Sequence, residues 1–219
     1  MQGLLFDLDG TLTDPFEGIA ASIRHALKQL GVASPDDQAL RGWIGPPLWD
    51  SFGRYLQSDD PALLKQAIGL YRERFADQGL FENRVYPGIP ALLDDLRAAG
   101  FRLVLATSKP RVFAERILAH FALDRYFHAV HGSELDGTHA HKAELIRYIL
   151  GTEQLRPDST LMIGDRHHDI HGAHHNGVRA VGVGWGYGSV AELDEAGAEW
   201  IADSPGALGR WLRAAVAIP

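Results

Sequence analysis

Apolar residues along this chain fall into two alternating patterns. Short, nearly unbroken runs occur at Gly3–Leu8, Arg102–Thr107, Phe127–His131, Ser159–Gly164 and Val178–Gly184. Each is rich in Leu or β-branched residues and bounded by turn-forming or polar positions, which predicts strands buried on both faces. Between them, apolar positions recur at three- and four-residue spacing. Ile89, Leu92, Leu93 and Leu96 form one such stripe, with Gly100 beyond it as a left-handed cap, and Val112–Phe121, Ala143–Leu150 and Ala207–Val216 form others. Buried strands alternating with amphipathic helices predict an α/β core with a parallel sheet.

One interval breaks this rhythm. Roughly ninety residues separate the first predicted strand from the second, where a crossover helix needs only about a dozen. The excess is patterned as helix throughout. Phe16, Ile19, Ala20, Ile23, Leu27 and Leu30 make one apolar stripe, and Asp59-Asp60-Pro61 supplies acidic caps and an N1 proline for a helix through Tyr71 and Phe75. The expected organisation is a core of residues 1–15 and 82–219 with an all-helical insertion at 16–81, hinged near Pro15 and at Phe81–Pro90. The length of 219 residues agrees with one core domain plus a sizeable insertion.

Composition narrows the chemistry. Lys and Arg total 21 against 28 Asp and Glu, a formal charge of −7. That balance offers no general attraction for nucleic acid or for an anionic membrane surface. No stretch approaches the ~18 apolar residues of a membrane span, and no basic and apolar leader opens the chain, so a cytoplasmic protein is expected. There is no cysteine, which removes disulfides, thiolate nucleophiles and thiolate metal sites and leaves oxygen and imidazole as metal ligands. Nothing in the composition sets an oligomeric state.

In open parallel sheets the functional site gathers at the carboxyl ends of the strands. Four groups stand there. Asp7-Leu8-Asp9-Gly10-Thr11 follows the first run and carries two carboxylates two residues apart, although an Asp-Gly turn alone would account for it. Thr107-Ser108-Lys109 ends the second and offers a hydroxyl and backbone N–H groups at a helix start, suited to phosphate oxygens, although a helix-capping Thr needs no ligand. Lys142 enters the next helix, where a solvated lysine is the ordinary alternative. Gly164-Asp165-Arg166-His167-His168-Asp169 places two more carboxylates one helical turn apart, with an N-cap Asp as the plain alternative. Their shared position at strand ends makes one crevice the simpler account.

Clustered carboxylates without cysteine suit Mg²⁺, which takes a few carboxylate oxygens, waters and phosphate oxygens. Asp7, Asp9, Asp165 and Asp169 against Mg²⁺ and Lys142 leave one net negative charge, and such crowding favours a proton on one carboxyl. The reading assigns that proton to Asp9, which would give it to a leaving group and later deprotonate a water, while Asp7 attacks phosphorus. Thr107, Ser108 and Lys142 would hold the phosphoryl oxygens.

DLDGTLTD, LATSK, Lys142 and GDRHHD together resemble the four motifs of the haloacid dehalogenase superfamily in its phosphatase branch, over nearly the whole chain. The helical insertion resembles that superfamily's C1-type cap, and Gly184-Trp185-Gly186-Tyr187-Gly188 with Tyr86-Pro87-Gly88 is similar to the phosphoglycolate-phosphatase-like group. The resemblance implies a Rossmann-like parallel sheet core with an inserted helical cap and a nucleophile at Asp7. It implies acid/base catalysis at Asp9, and Mg²⁺ held by Asp7, the backbone carbonyl of Asp9 and Asp165, with Asp169 in support. The implied substrate is a small phosphorylated metabolite, hydrolysed through an aspartyl-phosphate. Phosphoglycolate, a nucleoside 5′-monophosphate and pyrophosphate all fit. The second Asp argues against a metal-independent dehalogenase, whose halide leaving group needs no proton.

A sugar phosphomutase shares the Asp pair. Gly45-Pro46-Pro47-Leu48, after Arg41 and Trp43, looks like the cap loop of this group, so Arg41 and Gly45 are candidates for substrate contact, against a simple connection between two helices. Five histidines, His167, His168, His171, His174 and His175, crowd one predicted helix. They form either a solvated face or, at three- and four-residue spacing, a transition-metal site in a non-catalytic module.

Overall fold

A computed structural model describes residues 3–216. Residues 1–2 and 217–219, which the sequence reading gives to the core, lie outside the described residues. In chain order the elements are β1 (Gly3–Phe6), β2 (Thr13–Asp14), α1 (Phe16–Gln29), α2 (Asp37–Arg41), α3 (Leu48–Leu56) and α4 (Pro61–Arg74), which widens into a π-helical turn at Phe75–Gly79. There follow β3 (Arg84–Val85), α5 (Ile89–Ala98), β4 (Arg102–Pro110), α6 (Arg111–His120), β5 (Ala129–Ser133), α7 (Lys142–Thr152) and β6 (Thr160–Gly164). The chain continues through α8 (His167–His175), β7 (Arg179–Val183), α9 (Val190–Glu195), β8 (Ile201–Ala202) and α10 (Pro205–Val216).

Six strands form one parallel, Rossmann-like sheet in the order β5-β4-β1-β6-β7-β8, and β2 and β3 form a separate two-stranded sheet. β1 is flanked on both sides. Phe6 pairs with Leu105 of β4 and with Ile163 of β6, so the residues that follow these three positions emerge at one level. That register places Asp7, Ala106 and Gly164 side by side and sets Thr107 and Asp165 one step beyond.

The strands are apolar because both faces are covered. Leu5, Val104, Met162 and Ala180 pack with Leu145, Ile146 and Ile149 of α7 and Ile170 and Ala173 of α8 in one buried cluster. Each large side chain buried there contributes about 1.5–3 kcal/mol relative to exposure. On α5, the Gly100 N–H bonds the Arg97 carbonyl and the Phe101 N–H bonds that of Leu96. This left-handed cap at Gly100, with φ +84°, is the one the sequence predicts.

Several boundaries differ from the sequence reading by a residue or more, and two of the differences have a clear local cause. β4 does not stop at Thr107 but runs to Pro110, with an irregularity in its pairing to β5 between Thr107 and Pro110. A proline disfavours helical geometry in the residue before it, so Lys109 stays extended and α6 starts only at Arg111. Thr107 is therefore a strand residue and not a helix cap. β5 begins at Ala129 instead of Phe127, because Phe127 closes a 3₁₀ turn at Asp124–Tyr126.

The chain divides into two compact units, one of residues up to Asp14 together with those from Val85 onward, the other Pro15–Arg84. The sequence reading sets these boundaries at 15/16 and 81/82. Within the second unit the α1 stripe is buried from Phe16 to Leu27 and packs on α4, whose Leu64, Ala67, Ile68 and Tyr71 are buried. Asp60 caps α4 by accepting from the Ala62 N–H at 3.0 Å, with Pro61 at the first helical position, an arrangement worth about 1 kcal/mol.

Candidate active site

At the end of β1 the chain coils around one carbonyl. Leu8 O accepts from the backbone N–H groups of Thr11, Leu12 and Thr13, and the Gly10 N–H bonds Thr13 O at 2.7 Å. The Asp-Gly turn is thus real, and it carries the site as well. Asp7, still paired to β6 through its N–H to Ile163 O, and Asp9 both have buried side chains.

Asp7, Asp165 and Asp169 converge. Each offers a carboxylate oxygen, the three lying within 4.8 Å of one another, and all three residues are buried. Asp165 follows β6. Asp169 sits in the first turn of α8, where its Oδ2 accepts from the Arg166 N–H at 3.1 Å. Burial first, then Asp169 and Asp7, push the Asp165 carboxyl well above the usual range. Burial pushes Asp169 up to about 6 against the opposing pull of Lys142. Three carboxylates in one dry pocket hold charge only if cations compensate them, and an all-oxygen donor set fits a hard divalent ion such as Mg²⁺.

Lys142, the first residue of α7, supplies one compensating charge. Its Nζ donates to Asp7 Oδ1 at 3.0 Å and to the Ala106 carbonyl at 2.8 Å, and lies 2.7 Å from Asp169 Oδ1. Burial works against its charge, but Asp169 and Asp7 outweigh burial and raise its pKa above the ordinary lysine value.

A second buried lysine completes the balance. Lys109 Nζ lies 2.6 Å from Asp9 Oδ2, while Asp9 Oδ1 is buried and has no hydrogen-bond partner among the described residues. Burial raises the Asp9 pKa, Lys109 opposes that, and Asp7 adds to it. With Lys109 counted, a divalent cation would bring the site's formal charge to zero before substrate, not to the single negative charge of the sequence tally.

The loop after β7 packs over Asp165. The Tyr187 N–H donates to Asp165 Oδ2 at 2.8 Å, Trp185 Nε1 donates to Thr11 O at 3.0 Å, and the Tyr187 hydroxyl donates to Asp14. A Cβ at Gly10, Gly186 or Gly188 would overlap Asp165, so a larger residue at any of them would displace it. Burial and the Asp14 bond keep the Tyr187 phenol protonated.

The candidates from the sequence are thus distributed as follows. Asp7, Asp165, Asp169 and Lys142 meet in one cluster. The Asp9 carboxylate turns to Lys109, so the third side chain of the carboxylate trio is Asp169, which the sequence reading placed in support. Thr107 is buried beside them on β4, its Oγ1 accepting from the Lys109 N–H at 3.3 Å. Ser108 is half-buried, and its carbonyl accepts from Ser133 Oγ at 2.9 Å. Arg41 and Gly45 belong to the other unit, where the Arg41 guanidinium lies 4.5 Å from the centre of the Phe16 ring and Gly45 takes φ +107° between α2 and α3.

Of the histidines, His171, His174 and His175 are exposed, as a solvated face requires. His167 Nδ1 lies 2.7 Å from Glu192 Oε1, which also accepts from Arg166 Nε at 2.9 Å. Sequence reasoning passed over Lys109 and the hold of the Gly-Trp-Gly-Tyr-Gly loop on Asp165. Only the place of Lys109 in Thr107-Ser108-Lys109, a strand end expected to share one crevice with the Asp7 and Asp9 motif, could have pointed to it.

A model of the haloacid dehalogenase-like hydrolases matches residues 4–183. The chain belongs to the haloacid dehalogenase-like hydrolases. This hydrolase is 54% identical over 190 residues to a 5′-nucleotidase of Pseudomonas aeruginosa, covering 87% of this chain and 86% of the relative. It is 30% identical over 209 residues to a phosphoglycolate phosphatase of Colwellia psychrerythraea, covering 92% of each. The solved structure of a predicted phosphatase from Clostridium acetobutylicum superposes with a TM-score of 0.93 at 44% identity, covering 97% of this chain and 98% of the other. The hydrolase is a phosphatase, and no helix among its described residues is long and apolar enough to cross a membrane.

Proposed function

We propose that this phosphatase hydrolyses phosphomonoesters of small metabolites, with Mg²⁺ and through an aspartyl-phosphate on Asp7. The observation that carries the reading is the Asp7–Asp165–Asp169 cluster with Lys142 at its edge. Asp7, Asp165 and Asp169, with the backbone of Asp9, would hold the cation, which when bound neutralises charge between the carboxylates and an incoming phosphate. Asp7 forms a bond to phosphorus as the bond to the leaving oxygen breaks, and Asp9 gives its proton to that oxygen. A water then attacks the phosphoryl group, gives its proton to Asp9, and frees Asp7 and inorganic phosphate. Lys142 orients Asp7 and Thr107 offers its hydroxyl to the phosphoryl oxygens.

Within this class the first substrate to test is a nucleoside 5′-monophosphate, because the 54% identical relative bears that activity's name. Phosphoglycolate comes second, on the strength of the relative at 30%. In this reading the partner is a small phosphorylated metabolite and the compartment the cytoplasm. The test is a panel of phosphorylated nucleosides, acids and sugars with Mg²⁺ or with EDTA, following kcat/KM. The reading requires Mg²⁺-dependent phosphate release, abolished in Asp7→Asn. Normal turnover by that variant overturns it. Isomerised sugar phosphate in place of free phosphate would turn the assignment to a mutase.

A further inference from the structure

We propose that Lys109 is a positioning residue for proton transfer by Asp9, anchoring one carboxylate oxygen so that the other faces the leaving group. The proposal rests on the reading of Asp9 as acid and base.

The geometry comes from the unexpected length of β4. Pro110 keeps Lys109 extended, Thr107 Oγ1 accepts the Lys109 N–H, and Ser133 Oγ ties the Ser108 carbonyl to β5. A Cβ at Gly132 of β5 would overlap the Lys109 carbonyl, so the neighbouring strand is cut back to let this segment pass. The result delivers the Lys109 ammonium to Asp9 Oδ2 at 2.6 Å, with only 5% of the one side chain and 11% of the other exposed. Removed from water, such a charge-assisted bond fixes direction as well as energy.

The consequence lies in the other oxygen. Asp9 Oδ1 is buried and has no hydrogen-bond partner among the described residues, a costly state unless a partner arrives during the reaction. With Oδ2 held by Lys109, Oδ1 is the oxygen left to carry the proton that the reaction requires. In the first step that proton passes from Oδ1 to the leaving oxygen as its bond to phosphorus breaks and the Asp7–phosphorus bond forms. The new Asp9 carboxylate is stabilised through Oδ2. In the second step Oδ1 takes a proton from the attacking water, as the oxygen of that water bonds to phosphorus and the Asp7–phosphorus bond breaks. No other reactant is needed.

A lysine that only supported the fold would slow all substrates alike. A lysine that aims a proton matters in proportion to how badly the leaving group needs one. The experiment therefore compares kcat/KM, which reports formation of the phosphoenzyme, for p-nitrophenyl phosphate and for the best alkyl phosphate from the panel. p-Nitrophenolate departs without a proton, and an alkoxide does not. The full chain with Mg²⁺ is used, as wild type, Lys109→Met, Lys109→Arg and Asp9→Asn.

We expect Lys109→Met to lose on the order of 10²-fold on the alkyl phosphate, and at least about ten times less on p-nitrophenyl phosphate. Lys109→Arg should recover part of that difference, and serves alone if the Met variant does not fold. Lys109→Met should also show a burst of p-nitrophenol, because dephosphorylation still needs Asp9. Equal losses on both substrates, or none on either, would overturn the proposal. Asp9→Asn separates the two levels of argument. If it lacks the leaving-group dependence, the role of Asp9 is wrong; if it shows the dependence and Lys109→Met does not, only the role of Lys109 falls.

Discussion

Lys142 Nζ stands 2.7 Å from Asp169 and 3.0 Å from Asp7, a single ammonium shared by two buried carboxylates, one just after β1 and one in the first turn of α8. Removing it leaves both without compensation. Breaking a buried ion pair from one side costs about 3–5 kcal/mol. Lys142→Met is expected to lower stability in EDTA by that order, read as a shift in urea midpoint, and to abolish turnover. A midpoint unchanged from wild type would show that the carboxylates need no ammonium.

The carboxylate cluster predicts how metal and pH interact. The folded-state pKa of Asp169 is raised to about 6 and that of Asp165 is raised as well. Between the ordinary carboxylate value of 3.8 and about 6, the folded protein therefore holds protons that the unfolded chain has released. Without metal, stability must fall as pH rises through that window. A divalent cation competes with those protons. Mg²⁺ should raise Tm more at pH 7.5 than at pH 5, measured by calorimetry against EDTA. Equal shifts at the two pH values would contradict the assignment of these carboxylates to a metal.

The loop over Asp165 predicts a defect in metal affinity rather than in chemistry. A methyl group at Gly188 would overlap the Asp165 backbone carbonyl, and one at Gly186 the Asp165 side chain and the Gly10 carbonyl. Gly188→Ala or Gly186→Ala should shift Asp165 and raise the Mg²⁺ concentration for half-maximal activity about 10- to 100-fold, with much of the rate restored at saturation. Loss of rate at an unchanged Mg²⁺ requirement would argue that the loop serves substrate and not the ion.

Glu192 predicts an acid-sensitive contribution to stability. Burial opposes its charge, but hydrogen bonds from the His167 backbone and ring and from Arg166 outweigh burial and lower its pKa from 4.5 to about 2. A depressed folded-state pKa gives stability that is present above 4.5 and is lost as pH falls toward 2. Glu192→Gln should therefore cost about 1–3 kcal/mol at pH 7 and progressively less below pH 4.5. A urea series giving the same penalty at pH 7 and pH 3 would rule this out.

The strands of the core sheet were legible wherever apolar runs were long enough to cover two faces. β8, with two residues, leaves no run to read. The end of β4 was hidden because its last four residues, Thr107 to Pro110, are polar or proline while the backbone remains extended. In the site, Asp7 and Asp165 were legible because a carboxylate directly after a buried strand has few places to go. That Asp169 supplies the third side chain of the trio while the Asp9 carboxylate turns to Lys109 was not. It depends on the coil around the Leu8 carbonyl and on a lysine one hundred residues away in sequence, neither of which has a local signature. The Lys142 position was readable from its place at a helix start, whereas the meeting of Asp7 and Asp169 that raises its pKa comes from how β1, β6 and the start of α8 are set side by side.

That register also constrains how the polypeptide is made. β1 leaves the ribosome before both of its neighbours and cannot complete its hydrogen bonds until Arg102 and then Thr160 have been synthesised. Pairings of such sequence separation form slowly and leave apolar surface uncovered meanwhile. During that interval Leu4, Leu5 and Phe6, fully sheltered in the finished molecule, form a bare hydrophobic segment.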